Sequence, residues 1–259
     1  MVQLLNKRMN DVMQRYFVDQ INLDEKRAVL LPSDAYHVQK VMRMKLNDSV
    51  IVCHEKAGTF LGKLIKLSPN EAVVELIDKI EENNELPLDV TIAHGLVRRE
   101  KMEFVIETCA ALGAYAYVPV FMNRSTAKWQ EEKGDKKEAR IAKIIKEASE
   151  QSHRNRLMKF YKPLTIPELI QAKAEFDLCL FAYEDTPSDD ANLKKALSQE
   201  NCRKLLVLFG PEGGFDSKET EMLKNAGFIP VTLGKRILRT ELAPLYLLST
   251  IGYQKELKA

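Results

Sequence analysis

Little in this chain points to metal, redox or membrane chemistry. Its four cysteines, Cys53, Cys109, Cys179 and Cys202, are scattered through 259 residues and form no CxxC pair, which argues against a structural zinc site and a disulfide framework. The four histidines are not spaced as ligands, so no metal is expected. The longest apolar runs, LCLFAY at 178–183 and LLVLF at 205–209, fall far short of the roughly 20 residues that cross a bilayer. The opening MVQLLNKRMNDV lacks the uninterrupted apolar stretch of a signal peptide. A cytoplasmic protein without membrane contact is the expectation. Internal repeats and low-complexity tracts are also missing.

What is present is the balance of a globular protein, with 45% hydrophobic and 29% charged residues. The length fits one large domain or two ordinary ones. Net charge is only +2, but it is unevenly spread. Of the 39 basic and 37 acidic residues, twelve and six fall between Arg124 and Lys162, leaving 27 and 31 elsewhere. A basic segment on a mildly acidic body is one form of electrostatic footprint for phosphate. Composition alone favours a solvated helix laced with charge pairs, because Glu131, Glu132, Asp135 and Glu138 alternate with the lysines.

The clearest break is IDKIEENNELP at 77–87, acidic, Asn-rich and closed by Pro87. Before it, SVIVCHE (49–55), TFLGKLIKL (59–67) and EAVVELI (71–77) read as strands of a small barrel or sandwich. A helix is expected at about 33–44, capped by Ser33 or Asp34. After the break, apolar strands at 89–96, 115–121, 176–183, 204–209 and 228–233 alternate with helices at about 99–112 and 135–153. A further helix is expected after Asp216, with Glu219 as its capping-box partner. The last begins near Thr240 and carries Pro244 in its first turns. That alternation predicts an α/β domain with a mostly parallel sheet, and ligands in such sheets sit beyond the carboxyl ends of strands.

Three segments carry chemistry. LVLFGPEGGFDSKE (206–219) places Gly210, Gly213 and Gly214 directly after a buried strand, where glycines let backbone groups approach a ligand. It lacks the Lys-Ser/Thr of a P-loop and the spacing of GxGxxG. A plain turn would not need so distinctive a run, so a ligand loop is expected. VTLGKRILRTELAPLYLLSTIGYQ (231–254) repeats the arrangement, with Arg236, Arg239 and Glu241 gathered at a strand end. EASEQSHRNR (147–156) ends the basic helix; Arg154 and Arg156 suit a phosphate or a polarised carbonyl, or simply a helix C-terminus that favours cations.

EQSHR, GPEGGF and LGKRILRTE, in that order and spacing, resemble the 16S ribosomal RNA (uracil-N3) methyltransferase (RsmE) family of the SPOUT superfamily. MQRYFV (13–18) and HVQKVMRMKLND (37–48) extend the resemblance over nearly the whole chain, with residues 1–12 left as an extension. The resemblance implies a PUA-like RNA-binding β-barrel at 1–83 and, at 84–259, a SPOUT α/β methyltransferase domain with a C-terminal trefoil knot. It implies S-adenosylmethionine as cofactor, a homodimer, and 16S rRNA or the small ribosomal subunit as partner. The cofactor is expected against Ala182, Glu184, Phe209, Gly210, Gly213, Leu233, Gly234, Ile237 and Leu238. Arg154, Arg239 and Glu241 are expected to face the reacting base or to hold the site together, and Arg15, Arg43, Arg124, Lys128 and Arg156 to lie on the RNA. The chain departs from the family pattern at Thr108, Ala111, Ile141, Met158 and Leu242. The changes at Thr108 and Ala111 leave room for another SPOUT activity, on a ribose 2′-hydroxyl or a different base; a non-catalytic RNA-binding assembly factor is the second alternative, and the intact GPEGG and LRTE argue against it.

Overall fold

A computed structural model describes residues 13–129, 134–187, 192–199 and 201–257. Residues 1–12, expected to be an extension, lie outside the described residues, as do Glu131 and Glu132 of the charged helix pattern. The chain divides into two compact units: one runs to Glu85 and includes Ser149–Leu157, the other comprises Leu86–Ala148 and Met158–Ala259.

The first unit is built on a six-stranded sheet of β1 (Arg15–Phe17), β2 (Gln20–Asn22), β3 (Arg27–Leu30), β4 (Ser49–His54), β5 (Gly58–Ser68) and β6 (Glu71–Ile80). Their order is β1-β4-β5-β6-β3-β2, antiparallel throughout except for β1 against β4. Among the described residues the two end strands, β1 and β2, do not pair, so the PUA-like barrel expected is an open half-barrel. Ala72, Val74 and Leu76 alternate along β6 into a core with Tyr16, Leu30, Val50, Val52 and Leu64, the period-2 signature of a sheet covered on one face.

The helix expected at 33–44 is shorter: α1 covers Pro32–Tyr36, and a π-turn at His37–Val41 continues it. Neither Ser33 nor Asp34 caps it. Pro32 at the first helical position starts the helix one residue earlier, with Leu31 at the cap and no side-chain cap bond. Arg43, at φ 52°, ends it in the left-handed region.

In the second unit, seven strands lie parallel: β7 (Asp89–Gly95), β8 (Ala116–Phe121), β9 (Lys159–Phe160), β10 (Leu164–Thr165), β11 (Leu178–Ala182), β12 (Lys204–Phe209) and β13 (Ile229–Val231). The order is β10-β8-β7-β12-β11-β13, with β9 added beside β8. Both faces are covered, which is why these strands read as unbroken apolar runs. Leu205, Val207 and Phe209 of β12 point to one core, shared with α2 (Arg99–Ala111), α3 (Gly134–Gln151) and α7 (Ala243–Glu256). Leu206 and Leu208 point to the other, under α4 (Ile166–Gln171) and α6 (Ser217–Asn225). A short α5 (Asn192–Leu197) lies between β11 and β12 in the chain. β12 enters the sheet between β7 and β11, so the carboxyl ends of β11, β12 and β13 are adjacent.

Candidate active site

At those three adjacent strand ends the chain leaves a cleft of about 760 Å³. Its walls are three loops: Ala182–Thr186 after β11, Phe209–Phe215 after β12, and Val231–Ala243 leading into α7. The middle loop is tightly built. A Cβ on Gly213 would stand 2.8 Å from Arg124 Cβ and 2.9 Å from the Arg124 carbonyl oxygen. Gly214 sits at φ 69°, and its N–H donates to the Pro211 carbonyl at 2.9 Å. Glycine is therefore required at 213 by close approach and at 214 by conformation. The loop ends in the expected capping box, Asp216 with Glu219. The Glu219 carboxylate also accepts from the Asn123 N–H at 2.7 Å, tying the turn after β8 to this helix start.

Two polar clasps hold the middle and last loops together. In the first, the Thr240 hydroxyl donates to the Gly210 carbonyl at 2.6 Å, and Thr240 Oγ1 lies 2.9 Å from His94 Nε2. The other ring nitrogen, His94 Nδ1, is 2.9 Å from the Tyr117 hydroxyl. In the second, the Lys101 ammonium lies 3.3 Å from both Glu212 and Glu241. Burial pushes the Glu241 carboxyl up, but a backbone N–H together with Lys101 and Arg239 outweighs it and holds the group below the usual carboxylate range. Burial keeps the His94 imidazole down to about 4, so it is neutral near pH 7.

The structure brings together Ala182, Glu184, Phe209, Gly210, Gly213, Leu233, Gly234, Ile237 and Leu238, all of which line the cleft with Arg239 and Glu241. Ile237 is 91% exposed. Arg124 is exposed and donates to the Gly213 carbonyl at 3.2 Å. Lys128 and Arg43 are exposed.

Arg154 is not at the cleft; it lies in the first unit, 1% exposed, with its Nε and Nη2 on the Glu85 carboxylate. A guanidinium so enclosed and paired holds this cluster of the first unit together. Glu85 also accepts from the Asn155 and Arg156 N–H groups and from Arg156 Nε. Arg156 is thus partly occupied in the same cluster. Arg15, expected on the RNA, is only 3% exposed and donates from Nη1 to the His153 and Arg154 carbonyls. The EQSHRNR run therefore fastens residues 149–157 to the sheet of the first unit. His94, Tyr117 and Lys101 were missed from sequence. The trace they leave is a lone His before Gly at the end of a buried strand; Lys101 looks like any surface lysine.

Among the described residues no three His, Cys, Asp or Glu side chains gather as metal ligands, and no helix is long and apolar enough to cross a membrane.

Residues 84–252 match the family described as an RNA methyltransferase domain, and residues 32–77 the one described as an RNA methyltransferase PUA domain. The chain is 37% identical to ribosomal RNA small subunit methyltransferase E of Bacillus subtilis (strain 168), over 95% of this chain and 98% of that protein. A crystal structure of ribosomal RNA small subunit methyltransferase E from Neisseria gonorrhoeae bound to S-adenosyl methionine aligns with a TM-score of 0.83 at 25% identity, over 93% of this chain and 98% of that one. A Legionella pneumophila methyltransferase structure with bound cofactor SAM gives a TM-score of 0.80, also at 25% identity and with the same coverage.

Proposed function

The chain belongs to the ribosomal RNA small subunit methyltransferase E family, and from that premise we propose that it methylates N3 of a uridine in 16S rRNA with S-adenosylmethionine. The observation that carries the reading is the cleft at the ends of β11, β12 and β13, where three loops converge. The residues present suit this cofactor. The loops supply backbone N–H and C=O groups for an adenine edge, Gly213 and Gly214 keep the wall low, and Glu184, Glu212 and Glu241 face a ligand whose sulfonium and ammonium are cationic.

The cofactor supplies an electrophilic methyl group. The protein has to position the base, favour loss of its N3 proton and exclude water. Negative charge then develops on the uracil carbonyl oxygens, and a cation beside them stabilises it. With Arg154 committed to Glu85, that role falls to Arg239, which lines the cleft and is exposed. Glu241, in the same loop, is held by Lys101.

Affinity for the RNA is assigned to cations around the cleft and on the first unit. Lys235 and Arg236 are exposed and make no ion pair among the described residues, and Arg124 and Lys128 are exposed as well. In the first unit Tyr36, Lys40, Arg43 and Lys45 are all exposed, which offers cations for phosphate and a ring on which an unpaired base stacks. Residues 1–83 are thereby read as the RNA-binding domain and 84–259 as the transferase, working in the cytoplasm where ribosomes are. Half-exposed Leu242, Tyr246 and Tyr253 on and beside α7 support a homodimer through this helix.

The test is methylation of small ribosomal subunits from cells lacking this enzyme, with labelled S-adenosylmethionine and mass spectrometry of digested 16S rRNA. A single 3-methyluridine is expected. A 2′-O-methyl nucleoside would move the chain to another SPOUT activity, and no S-adenosylmethionine binding would leave an RNA-binding assembly factor.

A further inference from the structure

The His94 imidazole is wholly buried near the end of β7, and each of its nitrogens has a partner. The direction of the hydrogen bonds follows from the far end. The Gly210 carbonyl can only accept, so the Thr240 hydroxyl, 2.6 Å away, donates its proton there. Thr240 Oγ1 must then accept from His94, which places the ring proton on Nε2. Nδ1 is left with a lone pair and accepts from the Tyr117 hydroxyl. This assignment satisfies every atom in the chain Tyr117–His94–Thr240–Gly210. A doubly protonated ring would turn a donor on Tyr117 and reverse that end of the network.

The geometry couples the middle of the sheet to two loops that are separate in sequence. His94 is on β7 and Tyr117 on β8, adjacent strands deep in the unit. Gly210 begins the loop after β12, and Thr240 closes the loop after β13. The charged groups that face His94 are Glu212 from the first of these loops and Glu241 from the second. Lys101 of α2 holds both carboxylates, and Cys109 of the same helix faces Tyr117. On β7 itself no charged side chain joins them between Val90 and Gly95.

We propose that His94 is a positioning residue for the methyl donor: through Thr240 it fixes the Gly210 carbonyl and holds the 209–215 and 231–241 loops at the spacing that closes on the cofactor. His94 touches neither cofactor nor base; it acts by preorganisation, which spares the loops an ordering cost on binding. The inference rests on the cofactor reading above, and goes beyond it by naming what sets the cleft's width.

The experiment is calorimetric titration of the full chain with S-adenosylmethionine, with thermal melting of each variant alongside. Thr240→Val keeps the side chain's shape and removes the hydroxyl, and is expected to weaken binding roughly tenfold, the order of one buried hydrogen bond. Thr240→Ser restores the hydroxyl and is expected to bind within about twofold of the wild type. His94→Leu is expected to match Thr240→Val, and the double variant to be no weaker than either, because both break one network. Wild-type affinity in Thr240→Val and His94→Leu, with only their melting temperatures lowered, would overturn the proposal by leaving the network a purely structural one. Independent, additive losses would also overturn it. Failure of the wild type itself to bind would be a different result, sinking the cofactor reading and this inference with it.

Discussion

Removing the Glu85 carboxylate should be among the most damaging single changes to the first unit. The Arg154 and Glu85 side chains are 1% and 6% exposed, and Arg154 meets the carboxylate through both Nε and Nη2. Glu85→Ala takes away the carboxylate that meets two nitrogens of that buried guanidinium and strips an acceptor from the Asn155 and Arg156 N–H groups. Breaking a buried pair from one side costs about 3–5 kcal/mol, a large share of the ~5–15 kcal/mol that holds a domain. Arg156 adds little, since it is 31% exposed and can turn to water. Glu85→Gln keeps the shape and one carbonyl oxygen and should cost about half as much. Arg154→Met on top of Glu85→Ala should recover part of the loss, because it replaces a buried cation that has lost the Glu85 carboxylate with an apolar side chain.

The measurement is urea denaturation by circular dichroism, with hydrogen–deuterium exchange of peptides from 49–80 to locate the loss in the first unit's sheet. Acid should act in the same direction. Burial raises the Glu85 carboxyl, but Arg154, the Asn155 N–H and Arg156 outweigh it, so its folded value lies below the usual carboxylate range. The stability it contributes is complete above the unfolded value and is lost as pH falls through the lower, folded one. A cost below ~1 kcal/mol for Glu85→Ala, or a double variant that loses the sum of its parts, would refute the account of this cluster as a buried ion pair.

His94 gives a second pH dependence. Its folded value of about 4 lies below the unfolded 6.5, so about 3 kcal/mol of stability is present above pH 6.5 and disappears as pH falls through 4. Denaturation midpoints of His94→Leu should fall less steeply with pH over that window, and parallel curves would contradict the assignment. Gly213→Ala places a Cβ against Arg124 backbone at 2.9 Å; the loop must move, and S-adenosylmethionine affinity should drop tenfold or more by calorimetry. Lys101→Met leaves Glu212 and Glu241 without their shared cation, so the Glu241 carboxyl rises and the acid limb of the methylation pH profile should move to higher pH. An unmoved limb would show that Glu241 need not be ionised.

Local chemistry made some features readable from the chain alone. The capping box at Asp216 and Glu219 needs only residues three apart and appears as expected. The strands at 89–95, 178–182 and 204–209 are apolar on successive residues because both of their faces are covered, and that pattern already implies a parallel sheet under helices. With the sheet parallel, GPEGG and LGKRILRTE had to sit at carboxyl ends of strands, so a cleft there followed from their positions in sequence. Local rules compete at the start of α1: Ser33 and Asp34 both suit a cap, but Pro32 takes the first helical position.

Sequence by itself thus determined the two sheet types, the loops that line the cleft and the residues able to serve there, since each depends on neighbours within a turn or a strand. Only the tertiary structure decided strand order, which sets β12 between β7 and β11 and brings three loops to one place. It also decided that Arg154 is enclosed by Glu85, 69 residues away, and that His94 reaches Thr240 across 146 residues. Periodicity tells whether a side chain is buried, but not against what. The role of a charged or polar group depends on its partner, and here the partners meet only when distant strands and segments are packed together.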